Sequence, residues 1–505
     1  MGLLHITRLL SLGLVATTCA AFPCDLRRLF LDPSNSWNAN TTISFPNDGI
    51  TWVEATIRWS PYHAPTYAAA ISPATEDDAV RAVGLARLCN IPFLATGGRH
   101  GYGSSMGLLQ LGLALDLSKL NSISVDSEAA TLTVGGGTRT GDIMGPVHEA
   151  GFELPVGSCS CPGLVGVSIG AGANHWQGVH GYVMDSILSV RLITADARLI
   201  EVSEDSHPDL FWAIRGAGHN FGVITSATYR LYPPTNNDEI LVVDAEFLPR
   251  ANTSYFEALG EISRNQPPNL SHFSITAFNQ TIQSTVILGE FVFFGPREEG
   301  LELLAPILDI DPLFININVV SWSEMFDAAL LGVDAENCRP GLVHTPICTV
   351  MREQNIPSLI RSFEYMHEFY ERYPLGRLSV ANYQHPGYGR AHEIPDDATA
   401  YPWRDSESII PRLILLAYRY ILFNFPLGDK ITEAAANATG HAIRSELAST
   451  SGYDDLAVYV NSALGDETIE QIYGAHRLPR LAALKNTWDP ENVFRFHHAI
   501  PTSYP

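Results

Sequence analysis

The sequence predicts an α+β chain of two domains, and three observations carry that expectation. At 505 residues it is too long for one hydrophobic core. From about residue 64 to 236, short apolar runs alternate with helix-like segments around glycine turns. From 237 to 450 those turns thin out and long alternating runs take over, the pattern of an antiparallel sheet with one face covered by helices. Residues 21–63 are assigned to the first domain as its N-terminal part. Residues 451–505 turn polar and are expected to return to it. Hydrophobic residues make up 46% and charged residues 17%, enough apolar side chains to fill two cores.

The elements follow in order. Residues 1–20, MGLLHITRLLSLGLVATTCA, have a weakly basic start, an apolar centre and small residues near Ala20, the form of a secretory signal. ATEDDAVRAVGLARLCN carries Thr75 as an N-cap, acids in its first turn and apolar residues at helical spacing, and IPFLAT after it reads as a buried strand. LALDL and ATLTVGGG read as strands, and GDIMGPVHEAGF as a short helix ending at Gly151. SILSVRLITADARLIEVS is a hairpin turning at Ala195–Asp196–Ala197, and DLFWAIRGAGHNFGVITSATYRLYP is a helix, a glycine turn and a strand. In the second domain EILVVDAEFL, HFSITAFNQTIQSTVILGEFVFF and RLILLAYRYILF are strands and IPSLIRSFEYMHEFYERY is a covering helix. A last helix is expected through Thr468–Lys485.

Charge and cysteines narrow the function classes. A net charge of −23 argues against a polyphosphate partner, so no nucleic acid is expected, and no segment after the signal is long and uncharged enough to span a membrane. A secreted chain, or one in the secretory lumen, is expected, with glycosylation expected at the sequons of Asn40, Asn252, Asn269, Asn279 and Asn437. Of seven cysteines, Cys19 leaves with the signal. Cys24 with Cys89 and Cys338 with Cys348 are the expected disulfides. Cys159 and Cys161 in VGSCSCPG remain, and a bridge between them would be strained.

The glycine motifs VGGGTRTG, RGAGHNFG and IGAGANHWQG each miss the G-x-G-x-x-G dinucleotide pattern. Their order is the informative feature. TGGRHGY, TLTVGGGTRTGD, LPVGSCSCPGLVGVSIGAGANHW, DLFWAIRGAGHNFGVIT and, near the end, IYGAHRLPRLAALKNTWDPENVF follow one another along the chain. In this series the chain resembles the FAD-linked oxidases of the vanillyl-alcohol oxidase superfamily, and within it the berberine-bridge-enzyme-like branch. The resemblance covers about 64–234 and the C-terminal fifty residues.

That resemblance implies a two-lobed FAD-binding domain of the PCMH type, a substrate-binding domain from 237 to 450, and FAD bound covalently through one or two links. It makes His100 the residue bonded to the flavin 8α carbon and Cys159 the second linker at C6, with Cys161 as the competing choice. It implies that Gly97, Gly98, Arg99 and Gly101 border the ring, that Gly163, Gly166, Gly170 and Gly172 present N–H groups to the pyrophosphate, and that Gly222, Val223 and Ile224 add backbone contacts. No metal site is expected, and His497 and His498 are expected at the domain edge. Carbohydrate-oxidising members carry a tyrosine in N-Y-x-D. Here VNSALGD keeps Asn461 but has Ser462 in the tyrosine position, which leaves Tyr459 and Asn461 as the catalytic candidates. The implied function is a secreted, monomeric oxidase passing hydride from an alcohol, phenolic or polyketide-like natural product to FAD, with O₂ as acceptor, in secondary metabolism. The alternatives are an oligosaccharide oxidase making lactone and H₂O₂, and a flavin-assisted cyclase.

Overall fold

The computed structural model describes residues 24–404 and 417–505. The segment expected to be a signal, with Cys19, and the first part of RLILLAYRYILF lie outside them. The chain is α+β, as its sequence indicates. The first domain holds two sheets. One comprises β1 (Thr42–Ser44), β2 (Tyr67–Ser72), β3 (Phe93–Thr96) and β4 (Gly112–Asp116) in the order β1-β2-β4-β3. Strands β2, β4 and β3 run parallel, and β1 closes one edge antiparallel. Parallel strands need a crossover, supplied by helix α1 (Glu76–Leu88). Thr75 caps it, its side chain accepting from the Asp78 N–H, and three acids fill the first turn. Ala79, Ala82, Val83 and Ala86 share the buried stripe against the sheet. Cys89 ends the helix and is bonded to Cys24, as expected.

The second sheet is antiparallel: β5 (Ile123–Asp126), β6 (Thr131–Gly135), β7 (Ile187–Ile193), β8 (Leu199–Ser203) and β9 (Val223–Arg230), in the order β5-β6-β9-β7-β8. The hairpin β7–β8 turns where expected, with Ala197 left-handed at φ 60°. Helix α2 (Pro208–Ala217) buries Leu210, Phe211 and Trp212 in the core, so these are packing residues.

The second domain is one seven-stranded antiparallel sheet. Its strands are β10 (Ile240–Phe247), β11 (Leu270–Asn279), β12 (Ser284–Phe293), β13 (Phe314–Val320), β14 (Val343–Met351), β15 (Val380–His385) and β16 (Ala417–Phe425), in the order β13-β10-β12-β11-β15-β16-β14. Helices α3 (Asn252–Arg264), α4 (Arg297–Leu308), α5 (Ile356–Arg372) and α6 (Lys430–Ala448) cover one face. Period-two alternation sorts the strands. Leu241, Val243, Ala245 and Phe247 of β10 meet the helices, while Ile240 and Val242 join the core of the first domain. The register then puts a polar row on the face toward the first domain: Asp244 opposite Glu290, and Asn382 opposite Tyr420, which stands opposite Cys348.

Two expectations are corrected. The last helix is two: α7 (Ile469–Tyr473) and α8 (Leu478–Trp488). Gly474, left-handed at φ 70°, stops the first, and Pro479 opens the second. The bridge Cys338–Cys348 does not form. Cys348 is a buried free thiol in the middle of β14, and Cys338 is bonded to Cys161 at a sequence separation of 177 residues. The short loop spacing misleads because Cys338 faces the other domain. Lys485 anchors the returning segment, its ammonium donating to the carbonyls of Asn220 (2.6 Å) and Phe494 (2.9 Å) and to Asp489 (2.8 Å). Among the described residues no helix is long and apolar enough to cross a membrane.

Candidate active site

Three of the glycine stretches meet at one point. A side chain on Gly98 would overlap the Gly163 backbone nitrogen, and a Cβ on Gly97 would lie 2.5 Å from the Gly136 carbonyl oxygen. These glycines serve first to let loop backbones touch. Arg99, left-handed at φ 60°, gives its guanidinium to Asp116 at 2.8 Å, and Gly101 accepts from the Arg58 guanidinium at 2.6 Å. His100 is held at this junction. Burial, then the nearby Arg139 cation, bring its pKa down to about 4, so the imidazole is neutral at ordinary pH and keeps a lone pair. Trp59 stacks beside it at 4.9 Å and on His344 at 3.6 Å. His344 shares a hydrogen bond with the Asn424 amide oxygen at 2.5 Å.

Cys159 is a free, partly buried thiol in the loop before Gly163. Its sulfur lies 3.3 Å from Cys161 Sγ and 3.8 Å from Cys338 Sγ. Cys161, the competing linker, is taken up by the bridge. Burial, and next the Asp334 carboxylate, push the Cys159 thiol up to about 12. Two of the three sulfurs share a covalent bond, so the cluster offers a cation no set of thiolates.

Tyr459 and Asn461 hold a loop. The Tyr459 hydroxyl oxygen accepts from the Gly172 N–H (3.1 Å), the Ala173 N–H (3.2 Å) and the Asn461 amide (2.8 Å). The Asn461 amide also donates to the Val167 carbonyl (2.9 Å), and a side chain on Gly170 would overlap its amide oxygen. With its oxygen taken by three donors and its pKa raised by burial, Tyr459 is poorly suited to accept a proton. Gly222, Val223 and Ile224 open β9 at the same junction, where a side chain on Gly136 would overlap the Ile224 carbonyl. Gly166 alone among the pyrophosphate candidates has no heavy atom within 4 Å of a Cβ position on its open side.

Several buried polar atoms around these loops find no protein partner: Arg58 Nη1, His219 Nδ1, His497 Nδ1 and His498 Nε2. His219 stacks on His497 at 4.1 Å, and His498 Nε2 would be 3.0 Å from a Cβ on Gly103. The half-buried His497 and the buried His498 thus cluster with His219, and burial holds both below the usual histidine range. Orphaned buried donors are costly unless a ligand engages them. A large, polar, anionic cofactor such as FAD suits this set of unpartnered atoms.

On the side of the seven-stranded sheet, the Tyr102 and Ser462 hydroxyls are 3.5 Å apart. The Tyr420 hydroxyl accepts from the Asn382 amide at 3.3 Å. Burial raises both phenols, so both stay protonated. Sequence reasoning missed Trp59, Tyr102, Asp334, His344, Asn382 and Tyr420. Only Tyr102 carried a local signal, two residues after His100; the rest depend on strand register or interdomain packing.

Comparison with known proteins identifies the family. The family model of an FAD binding domain matches residues 67–203, and that of berberine and berberine-like proteins matches 458–501. The FAD-linked oxidoreductase fogF of Aspergillus ruber is 40% identical over 97% of this chain and 97% of its own length. The FAD-linked oxidoreductase OXR1 of Pyricularia oryzae is 43% identical over 92% of this chain and 90% of its own. Among solved structures, the glucooligosaccharide oxidase of Acremonium strictum, described with a 6-S-cysteinyl, 8α-N1-histidyl FAD, superposes with a TM-score of 0.78 over 92% of this chain and 98% of that one. At 20% identity that likeness shows the fold alone.

Proposed function

The chain belongs to the FAD-linked oxidoreductases with a berberine-like C-terminal segment, and we propose that it is a secreted, glycosylated oxidase with FAD attached through both His100 and Cys159. The substrate class is a hydroxylated natural product, an alcohol or a phenol, of secondary metabolism. When bound, the flavin supplies the hydride acceptor and hands the electron pair to O₂. The observation that carries the reading is the pairing of a neutral imidazole at His100 with a free thiol at Cys159 on one glycine junction. These are the two residue types through which FAD is linked in the solved oxidase.

The residues of this chain divide the remaining work. Tyr102 and Ser462 offer two adjacent hydroxyls to a substrate oxygen, which compensates for the serine in the N-Y-x-D position. Tyr420 and Asn382 offer a second pair across the sheet. Tyr459 and Asn461 keep the Gly170–Ala173 loop in place. Asn40 is exposed and open to a glycan, Asn269, Asn279 and Asn437 are half-buried, and Asn252 is buried at the start of α3.

The test is H₂O₂ release by the purified protein on panels of phenolic alcohols and of mono- and oligosaccharides. Turnover on the first panel is expected. Turnover confined to sugars would replace this reading with the oligosaccharide oxidase, and products equal in mass to their substrates would indicate the cyclase. Tyr102→Phe should lower kcat by about tenfold or more with the flavin retained, since a factor of ten corresponds to about 1.4 kcal/mol, one hydrogen bond to a buried oxygen.

A further inference from the structure

Among the described residues two arginines are fully buried, and they are treated differently. Arg404 gives its guanidinium to both carboxylate oxygens of Asp185. Arg419, 1% exposed, lies on β16 between Tyr418 and Tyr420, on the face that packs against the helices. Its Nε and Nη1 have no hydrogen-bond partner, and among the described residues no carboxylate pairs with it. Burial lowers its pKa only to about 10, so it is still a cation at neutral pH. A buried charge without a counter-charge is among the costliest features a fold can carry.

The groups left free around it are donors. The register sets Arg419 between Tyr383 of β15 and Thr349 of β14. Its guanidinium carbon is 6.0 Å from the centre of the Tyr383 ring. The buried Tyr383 hydroxyl has no hydrogen-bond partner; Gln354, just before α5, faces it, and the Gln354 amide nitrogen is also unpartnered. The other hydroxyls of the row are engaged. Thr349 donates to the Val350 carbonyl at 3.3 Å, and Ser274, opposite Tyr383, is bonded to Tyr255 at 2.7 Å. Leu359, Phe363 and Ile421 make the surrounding core apolar. One small negative charge satisfies the guanidinium and both neutral donors together. A doubly charged oxyanion would leave a net charge in that core.

We propose that Arg419, Tyr383 and Gln354 form a buried binding site for one monovalent halide, chloride being the ordinary one, between the seven-stranded sheet and α5. The ion neutralises the guanidinium from the helix side of β16. It thereby braces the strand whose next residue, Tyr420, pairs with Asn382 on the opposite face.

The experiment is thermal denaturation of the holoprotein in sodium chloride and in sodium gluconate at equal ionic strength, for the natural chain and for Arg419→Met, which keeps an unbranched stem and removes the charge. A ligand that binds only the folded state raises the midpoint once its concentration passes its Kd. The natural chain should melt higher in chloride than in gluconate, its midpoint climbing with the logarithm of chloride concentration, and bromide should act as chloride does. Arg419→Met should melt at one temperature in both salts. Equal midpoints of the natural chain in the two salts overturn the inference, and so does a chloride shift of the same size in Arg419→Met. If that variant folds poorly, Tyr383→Phe replaces it, since it keeps the ring and removes one donor. It should raise the chloride concentration of half effect by about fivefold, the worth of one hydrogen bond; an unchanged concentration overturns the site. Crystals soaked in bromide should show an anomalous peak beside Arg419. A peak there without a chloride-dependent midpoint would mean an adventitious ion only, which also overturns the proposal.

Discussion

Tyr459 and Asn461, the catalytic candidates of the sequence, are both bonded to the glycine loop between Val167 and Ala173. The sequence pattern around VNS points to a cleft, and both side chains stand there. Their atoms are spent on Gly172, Ala173 and Val167, contacts that no local pattern announces. Tyr459→Phe removes an acceptor and strands two backbone N–H groups. It should lower stability by about 1–3 kcal/mol, read as a shift in denaturation midpoint, while substrate turnover per bound flavin changes little. A large drop in turnover at full flavin content would restore Tyr459 as a catalytic residue. His100 was legible because its glycines are contiguous in sequence. Trp59, which stacks on it, was not, because it arrives from a loop forty residues upstream.

At the scale of elements, strand periodicity and glycine turns were readable and register was not. The alternation in EILVVDAEFL predicted β10 and its two faces. It could not say that Asp244 would stand opposite Glu290, because that pairing is set by the hairpin between β11 and β12 and the insertion of β12 beside β10. The last helix was read as continuous because its apolar spacing carries across Gly474, where the backbone turns left-handed. The glycine junction gives a sharp contrast. Gly98→Ala should prevent folding of the holoprotein, because the new methyl meets backbone of the Gly163 loop. Gly166→Ala meets no protein atom within 4 Å. It should fold and, with the cofactor bordering that loop, retain less flavin, measured as the ratio of absorbance near 450 nm to that of the protein. Equal flavin content in Gly166→Ala would move the cofactor away from this loop.

At the scale of the molecule, the two-domain organisation was visible in composition, but the way the domains are joined was not. One core cluster runs from the second sheet of the first domain into the seven-stranded sheet, and the Cys161–Cys338 bridge crosses the same boundary. The expected Cys338–Cys348 staple failed for that reason. Burial of ionisable groups gives the whole chain a pH dependence. His100, His219, His344 and His498 are held near a pKa of about 4, and His175 and His385 near about 3. The unfolded chain takes up these protons near pH 6.5 and the folded one does not, so stability contributed by neutral histidines is lost as pH falls from about 6.5 toward 4. Asp244, raised to about 6, and Glu290 and Glu467, also raised, act in the opposite sense, but the six histidines outnumber these three carboxyls. The thermal midpoint should therefore fall between pH 7 and pH 5; a midpoint that rises over that interval would contradict the neutral, buried state of these histidines.

The central claim is that one junction of glycine loops presents a neutral imidazole and a free thiol to the same flavin. The most direct measurement is mass spectrometry of the denatured, digested protein. Flavin mass on both the His100 peptide and the Cys159 peptide is the result predicted, and flavin that leaves entirely with the denaturant, or that rides on neither residue, would contradict it.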